Sequence, residues 1–466
     1  MLFSELRFLP FFLIVFSVHW ALRSNRSRKV WLLLASYFFY GCWDWRFLSL
    51  ILFSTAVDYV VGVQLSRPET RKKFWLGVSL TANLGLLGFF KYFGFFVDSA
   101  VELLQRVGFQ AHEPTLSIIL PVGISFYTFQ TLSYSIDVYM GRLEAVHDPL
   151  DLAFFVAFFP QLVAGPIVRA VDFLPQVAEK RYFSRVDVRG ALLLFLVGYI
   201  KKACISDNLA PYVDAYFATP EAYTAFASWT ATLFYSVQLY CDFSGYSDMA
   251  IACAALLGYR LILNFHFPYF SRSIAEFWRR WHISLSAWIR DYLYIALGGN
   301  RGGRLRMYRN LVIALVLCGF WHGAAWRFIF FGAIQAAALI ARIEWNTRVP
   351  EDSFAKRVVD SIAMPLTFVF FIASLIVFRT GGWDHTWTAL RSFLLFESPG
   401  SKDFGTTVLW LFPIFVGLHW LSYRRVFAGF WRRLPDSAFA LAIGAAFAMV
   451  QPFVAIHAEP FIYFQF

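Results

Sequence analysis

Apolar residues occupy this chain in long runs, and the polar positions between them fall in clusters. Runs such as "FLPFFLIVFSVHWAL", "VWLLLASYFFY", "LILFSTAVDYVVGV", "ALLLFLVGYI" and "LVIALVLCGFWHGAAW" recur along the whole length. Several reach the roughly 20 residues that a helix needs to cross a bilayer, and others are shorter or interrupted by Gly and Pro. The pattern predicts an all-α polytopic membrane protein with about 10–12 transmembrane helices by hydropathy windows, plus re-entrant and amphipathic helices. It reads as a single integral membrane domain over residues 1–466, with no repeat of fixed period and nothing like a linker between globular domains.

Two stretches depart from regular spans. "FFVAFFPQLVAGPIVRA" (154–170) is apolar but broken by Pro160, Gly165 and Pro166. Non-helical backbone at membrane depth is tolerated only inside protein or against a water-filled cavity, so this stretch predicts a re-entrant or kinked element lining an internal cavity. In the second, Ile274, Phe277, Trp278, Trp281, Leu285, Trp288, Ile289 and Tyr292 recur at helical spacing. They predict one amphipathic helix at the cytoplasmic boundary, ended by Gly298 and Gly299.

Composition narrows the class. Only 15% of residues are charged, against about 25% in soluble domains. The first apolar run is followed, not preceded, by the basic cluster "RSNRSRK", so it reads as a retained span and not a cleaved signal peptide. Arg23, Arg26, Arg28 and Lys29 after the first run, and Arg67, Arg71, Lys72 and Lys73 after the third, mark cytoplasmic loops with "CWDWRF" outside between them. Arg424, Arg425, Arg432 and Arg433 mark another, which puts both termini on the outer side. In this setting the net charge of +11 reflects the positive-inside bias and anion sites, not nucleic-acid binding. The five cysteines, at 42, 204, 241, 253 and 318, show no paired metal spacing and read as small buried hydrophobes; no metal is expected.

Candidate chemistry sits in two places. From Arg272 to Arg309 there are eight arginines against two acids, Glu276 and Asp291. An interfacial helix whose arginines touch lipid phosphates explains this, and so does a polyanionic ligand bound from the cytoplasm, since arginine forks match phosphate oxygens. His282 flanks the apolar face of this block. The second place is "LCGFWHGAAW": no charged residue lies between Leu311 and Trp326, yet His322 sits inside the run. An ionisable side chain at membrane depth is a functional candidate by default, the alternative being a histidine that bridges two helices. Cys318, one turn earlier, has nothing nearby to activate it as an acyl carrier. Asp242 and Asp248 in "QLYCDFSGYSDMA" need partners in apolar surroundings, and the nearby arginines are the candidates.

Together, "LPVGISFYTFQTLSYSIDVY", "FFPQLVAGPIVR", "IKKACISDNLAPYVD", "YCDFSGYSDMAIACAALLGYRL", "NFHFPYFSRSIAEFWRRWHISLSAWIRDYLYIALGGNR", "YRNLVIALVLCGFWHGAAW" and the ending "PFIYFQF" resemble the membrane-bound O-acyltransferase family. The likeness is nearest to its bacterial branch, which O-acetylates exopolysaccharides such as alginate and cellulose. The resemblance implies helices ringed around a thinned centre with a funnel crossing the membrane. It implies that His322, in "FWHG", is the catalytic histidine. It also implies that His282, in "RRWH", is a second site residue whose role is positioning or binding. The implied donor is acetyl-CoA; arginine–phosphate chemistry then predicts that its phosphates are held on the cytoplasmic side by some of Arg272, Arg279, Arg280, Arg290 and Arg301. Implied partners are a periplasmic acetyltransferase of the SGNH-hydrolase type and the exopolysaccharide machinery, in a bacterial inner membrane whose lipids the protein contacts. Peptidoglycan or teichoic acid as acceptor is the nearest alternative, and a polysaccharide export or scaffold protein is the alternative outside catalysis.

Overall fold

The computed structural model describes residues 1–109, 118–405, 410–426, 429–456 and 459–462. The last four residues of the motif "PFIYFQF" lie outside the described residues. Among the described residues there are twenty-one α-helices, no strand, and one isolated backbone bridge between Tyr223 and Lys402. Four helical stretches there are long and apolar enough to cross a membrane: Asn25–Leu65, Lys72–Arg106, Trp326–Arg348 and Asp436–Phe453. A fifth candidate is the pair Phe354–Ser361 and Ala363–Arg379, bent by 61°; Phe8–Ala21 and Leu411–Tyr423 are apolar but shorter. Asn25–Leu65 is interrupted at Asp44, whose extended backbone and side-chain bond from Arg46 N (3.0 Å) turn the chain in the "CWDWRF" loop.

The centre belongs to helices that are polar as well as apolar. Ala225–Leu256 spans 32 residues and buries nearly every side chain from Ala227 onward. Ile124–Tyr139 buries 14 of its 16 residues, among them Ser125, Thr128, Gln130, Thr131, Ser133, Ser135 and Asp137. Around Ala225–Leu256 pack Val188–Tyr199, Asp207–Ala218, Ala363–Arg379 and Trp383–Leu395.

The broken segment expected at 154–170 is broken as its prolines and glycine dictate. It comprises Pro149–Ala157, the four-residue turn Phe159–Leu162, and irregular backbone up to Ala170–Ala178, with residues 154–168 all buried. A backbone freed from its helix inside the hydrocarbon layer needs partners from the protein, and serines supply them. The amides of Phe159, Ile167 and Ala170 donate to Ser36 Oγ (3.0 Å), Ser284 Oγ (3.0 Å) and Ser133 Oγ (3.1 Å). Gly165 is required by the closeness of this fold: a Cβ there would lie 2.5 Å from Gln161 Cα and 2.7 Å from Pro160 O.

The structure departs from the expected single amphipathic helix over the arginine block. Ile274–Arg280 and Ile283–Trp288 are separate helices, and the chain turns between them at His282, whose φ is +44°. A π-helical stretch, Ile289–Tyr294, follows. The apolar residues keep their burial across the break, so helical spacing alone does not reveal it. The cysteine expectation holds for Cys241, Cys253 and Cys318, which are buried, and not for Cys42, which is exposed beside the turn at Asp44.

The buried acids of the central helix take lysines, not the arginines expected. The π-helical stretch Ile200–Ser206 widens the backbone and turns both Lys201 and Lys202 toward Ala225–Leu256. Lys201 Nζ lies 2.7 Å from Asp248. Lys202 Nζ bridges Asp207 (2.8 Å) and Asp242 (2.7 Å) and donates to Glu459 O (2.9 Å), while Asp242 accepts the amide of Ile462 (2.7 Å). This cluster anchors residues 459–462 to the middle of the protein. Removing one member of a buried ion cluster leaves an uncompensated charge and costs about 3–5 kcal/mol. Lys202→Met is therefore expected to lower the midpoint of thermal unfolding in detergent sharply, and Lys202→Met with Asp242→Asn to recover part of the loss. Equal midpoints for wild type and Lys202→Met would contradict this account.

Candidate functional site

His322 is the last residue of the helix Arg304–His322, and three features fix where that helix ends. The first is close packing on Trp326–Arg348. A Cβ on Gly319 would overlap the carbonyl of Phe328, and one on Gly332 would overlap the carbonyl of Leu315. The second is Gly323, whose backbone is extended and where a Cβ would collide with the Phe328 ring. The third is a lysine. Carbonyls at a helix C-terminus lack intrahelical partners, and here Lys91 Nζ donates to Trp321 O (2.8 Å) and His322 O (3.1 Å), with Ser125 Oγ at 3.5 Å. Tyr92 Oη donates to Phe320 O (3.2 Å), and its ring stacks on Phe320 at 4.3 Å. Lys91 and Tyr92 end the π-helical stretch Gly88–Tyr92, whose widened turn lets two consecutive side chains serve one helix end.

His282 reaches the same space from the break in the arginine block. It is 1% exposed and His322 is 4% exposed. The Trp321 indole lies between them, with ring centres 6.1 Å from His282 and 5.1 Å from His322. Phe243 packs edge-on against His282 at 4.6 Å, and Phe378 edge-on against His322 at 5.4 Å. Below Trp321, Phe129 stacks face to face with Trp288 at 3.8 Å, and Trp288 Nε1 donates to Phe129 O (2.9 Å). Two histidines 40 positions apart in sequence are thus both buried beside one indole.

On one side of that wall is a cavity of about 80 Å³ lined by Trp43, Lys91, Gly123, Ser125, Phe126 and Trp321 among others. Gly123 has φ +75°, and a Cβ on it would lie 2.7 Å from Leu162 O. It therefore lets the N-terminus of Ile124–Tyr139 sit against the broken segment. Trp43 belongs to the turn that the charge pattern assigns to the outside.

The five arginines proposed for phosphates divide into two groups. Arg272, Arg279 and Arg301 are exposed; Arg272 donates to Asp360 O (2.8 Å). Arg280 pairs with Glu276 (2.6 Å), and Arg290 pairs with Asp291 (2.6 Å). Asp291 also takes Arg169 (2.8 Å). Burial alone would raise the Asp291 carboxyl, but the Arg290 hydrogen bond and the charges of Arg290, Arg169 and Arg142 outweigh it and hold it below the usual carboxylate range. A second basic surface went unnoticed in the sequence. A cavity of about 410 Å³ is lined by Lys180, Arg181, Arg185 and Arg260, with Glu179 and Asp187. Five of the six fall within residues 179–187, and the fold brings Arg260 to them. The lone lysine in "GFFKYFG" carries no local sign that it holds the end of a helix 230 positions away. Among the described residues no group of three or more His, Cys, Asp or Glu side chains has metal-holding geometry.

Known proteins match this chain over much of its length. Residues 142–380 match the model of the membrane-bound O-acyltransferase family, a span that includes His282, His322 and the broken segment. The chain is 41% identical over 399 residues to a protein of Pseudomonas aeruginosa named "Probable alginate O-acetylase AlgI", covering 85% of this chain and 75% of that one. It is 36% identical over 394 residues to a peptidoglycan O-acetyltransferase of Helicobacter pylori, covering 78% and 73%. It is 29% identical over 250 residues to a teichoic acid D-alanyltransferase of Streptococcus thermophilus, covering 50% and 60%. An all-helical membrane chain that matches this model over half its length, and relatives of this kind over most of it, is an O-acyltransferase belonging to the membrane-bound O-acyltransferase family.

Proposed function

We propose that this protein takes acetyl groups from acetyl-CoA on the cytoplasmic side of a bacterial inner membrane and passes them outward for O-acetylation of an exopolysaccharide of the alginate or cellulose type. Transfer to the polymer runs through a periplasmic acetyltransferase partner of the SGNH-hydrolase type. The observation that carries this reading is the pairing of His322 with His282 around Trp321 in a buried space, in a chain so similar to alginate O-acetylases.

In the proposed step, a His322 ring nitrogen accepts the proton of an acceptor hydroxyl as its oxygen attacks the thioester carbonyl. The carbon–sulfur bond breaks, and the CoA thiolate leaves with the proton returned by the imidazolium. General base catalysis of this kind contributes typically about 10²–10⁴-fold, and holding both reactants in line supplies much of the remainder. His282 positions the reacting groups. Among the arginines, Arg272, Arg279 and Arg301 suit the CoA phosphates best, because Arg280 and Arg290 already face carboxylates. The cavity beside Trp43 and Lys91 suits the acceptor's approach, since it abuts Trp321 from the side assigned to the outside. Peptidoglycan is the second acceptor to test, on the strength of the Helicobacter relative.

The decisive experiment compares wild type with His322→Ala in the native host at matched membrane levels of protein. The O-acetyl content of secreted polysaccharide and of peptidoglycan is measured together with polymer yield. Loss of polysaccharide acetyl groups at normal yield is expected; loss from peptidoglycan alone would move the acceptor, and unchanged acetylation or lost polymer would sink the proposal. A second expectation concerns the helix end. Lys91→Met removes the donor that holds the carbonyls of Trp321 and His322, and misplacement of a reacting group by about 1 Å can cost about 10²-fold. Transfer by Lys91→Met should fall by that order and Lys91→Arg should retain most of it, measured as acetyl turnover in membranes with protein level matched.

A further inference from the structure

Asn264 has no part in the reading above, yet it holds the break at His282 together. It is fully buried, in the irregular segment between Ala225–Leu256 and Ile274–Arg280. Its backbone carbonyl accepts the amide of Ile283 (2.9 Å), and its Nδ2 donates to Ser247 Oγ (3.2 Å). Its Oδ1 accepts from Ser284 N (3.2 Å) and from Ser284 Oγ (2.8 Å). A backbone N–H can only donate, so the amide atom facing Ser284 N is the oxygen, which settles which way Asn264 points. The same oxygen lies 3.2 Å from His282 Nδ1.

These contacts dictate where the imidazole hydrogen sits. Asn264 Oδ1 can only accept, so Nδ1 must donate to it. Ser284 Oγ also lies 3.4 Å from Nδ1, and it offers no hydrogen. Its own hydrogen goes to Asn264 Oδ1, and its oxygen accepts the amide of Ile167. In a neutral imidazole one nitrogen carries the hydrogen and the other the lone pair. A non-glycine residue at positive φ persists only where its surroundings over-determine it, and here Asn264 and Ser284 do so from both backbone and side chain.

We infer that Asn264 is a positioning residue that fixes His282 in its Nδ1–H form and makes Nε2 the proton-accepting nitrogen of that ring in the buried site. This rests on the reading that His282 borders the acyl-transfer site. An imidazole presented this way can accept a hydrogen bond at Nε2 but cannot donate one there, so it orients a hydrogen-bearing group and not the thioester oxygen.

The test is nitrogen NMR of protein carrying ¹⁵N-labelled histidine in lipid nanodiscs, with the His282 signals assigned by their loss in His282→Gln. In wild type, the hydrogen should reside on Nδ1 and the lone pair on Nε2. Asn264→Asp offers the same acceptor oxygen and should keep that form and most of the transfer activity. Asn264→Leu removes the acceptor, so the Nε2–H form should appear. Its kcat should then fall about tenfold or more with the KM for acetyl-CoA unchanged. A wild-type His282 protonated at Nε2 overturns the inference, as does an Asn264→Leu variant with unaltered tautomer. An altered tautomer with unaltered kcat removes its role in transfer. The tautomer is readable whatever the donor proves to be, so failure of the acetyl-CoA reading stays distinguishable from failure of this one.

Discussion

A helix that ends inside a membrane must find partners within the protein for the carbonyls and amides it leaves open, and this fold is organised by where it can meet that demand. Ser36, Ser133 and Ser284 accept the three amides freed by the break after Ala157. Lys91 and Tyr92 donate to the last three carbonyls of Arg304–His322. Asn264 and Ser284 secure the turn at His282. Without these side chains the open amides and carbonyls would be left buried and unpaired, at a cost of about 1–3 kcal/mol each.

Charge obeys the same constraint. Asp58 is fully buried between Lys72–Leu87 and Ile124–Tyr139, and it is satisfied wholly by neutral donors: Ser79 (2.5 Å), Ser135 (2.6 Å) and Asn83 (2.8 Å). Asp207, Asp242 and Asp248 instead face Lys201 and Lys202. Breaking such buried pairs costs more than forming them returns, so they act as locks on register more than as sources of stability. One lock holds the helices that frame Lys91. The other anchors residues 459–462, where Phe461 packs on Phe243, the ring that lies edge-on against His282.

How much of this could be read from the sequence depends on whether the signal was local. The all-helical membrane class, the break at Pro160 and Gly165, and the isolation of His322 in a charge-free run are local properties, and each appears as the pattern predicts. The break at His282 was hidden because neither Gly nor Pro marks it: the turn is imposed by Asn264, 18 positions earlier. The partners of Asp242 and Asp248 were misread because arginines were nearer in sequence, whereas the π-helical stretch at Lys201 and Lys202 brings lysines from about 40 positions away, close to the 47 that separate Lys201 and Asp248. Three π-helical stretches, at Gly88–Tyr92, Ile200–Ser206 and Ile289–Tyr294, each re-aim a charged or tyrosine side chain, and none has a compositional mark.

The placement of the histidines follows from the same economy of partners. In the middle of a regular helix a side chain can reach only a neighbouring helix surface, and the backbone polar groups are already used. At a helix end or break, both the side chain and the open backbone groups face a common space, and the residues recruited to satisfy the backbone bring hydroxyls, amides and an ammonium into it. His322 stands at an end and His282 at a break, and Trp321 joins them because the ends meet. The polar groups that surround the pair are therefore, first, the ones the interrupted backbone requires. A buried interruption gathers ordered donors and acceptors of the kind that the proposed transfer calls for, which is why the least regular part of this fold is the candidate site.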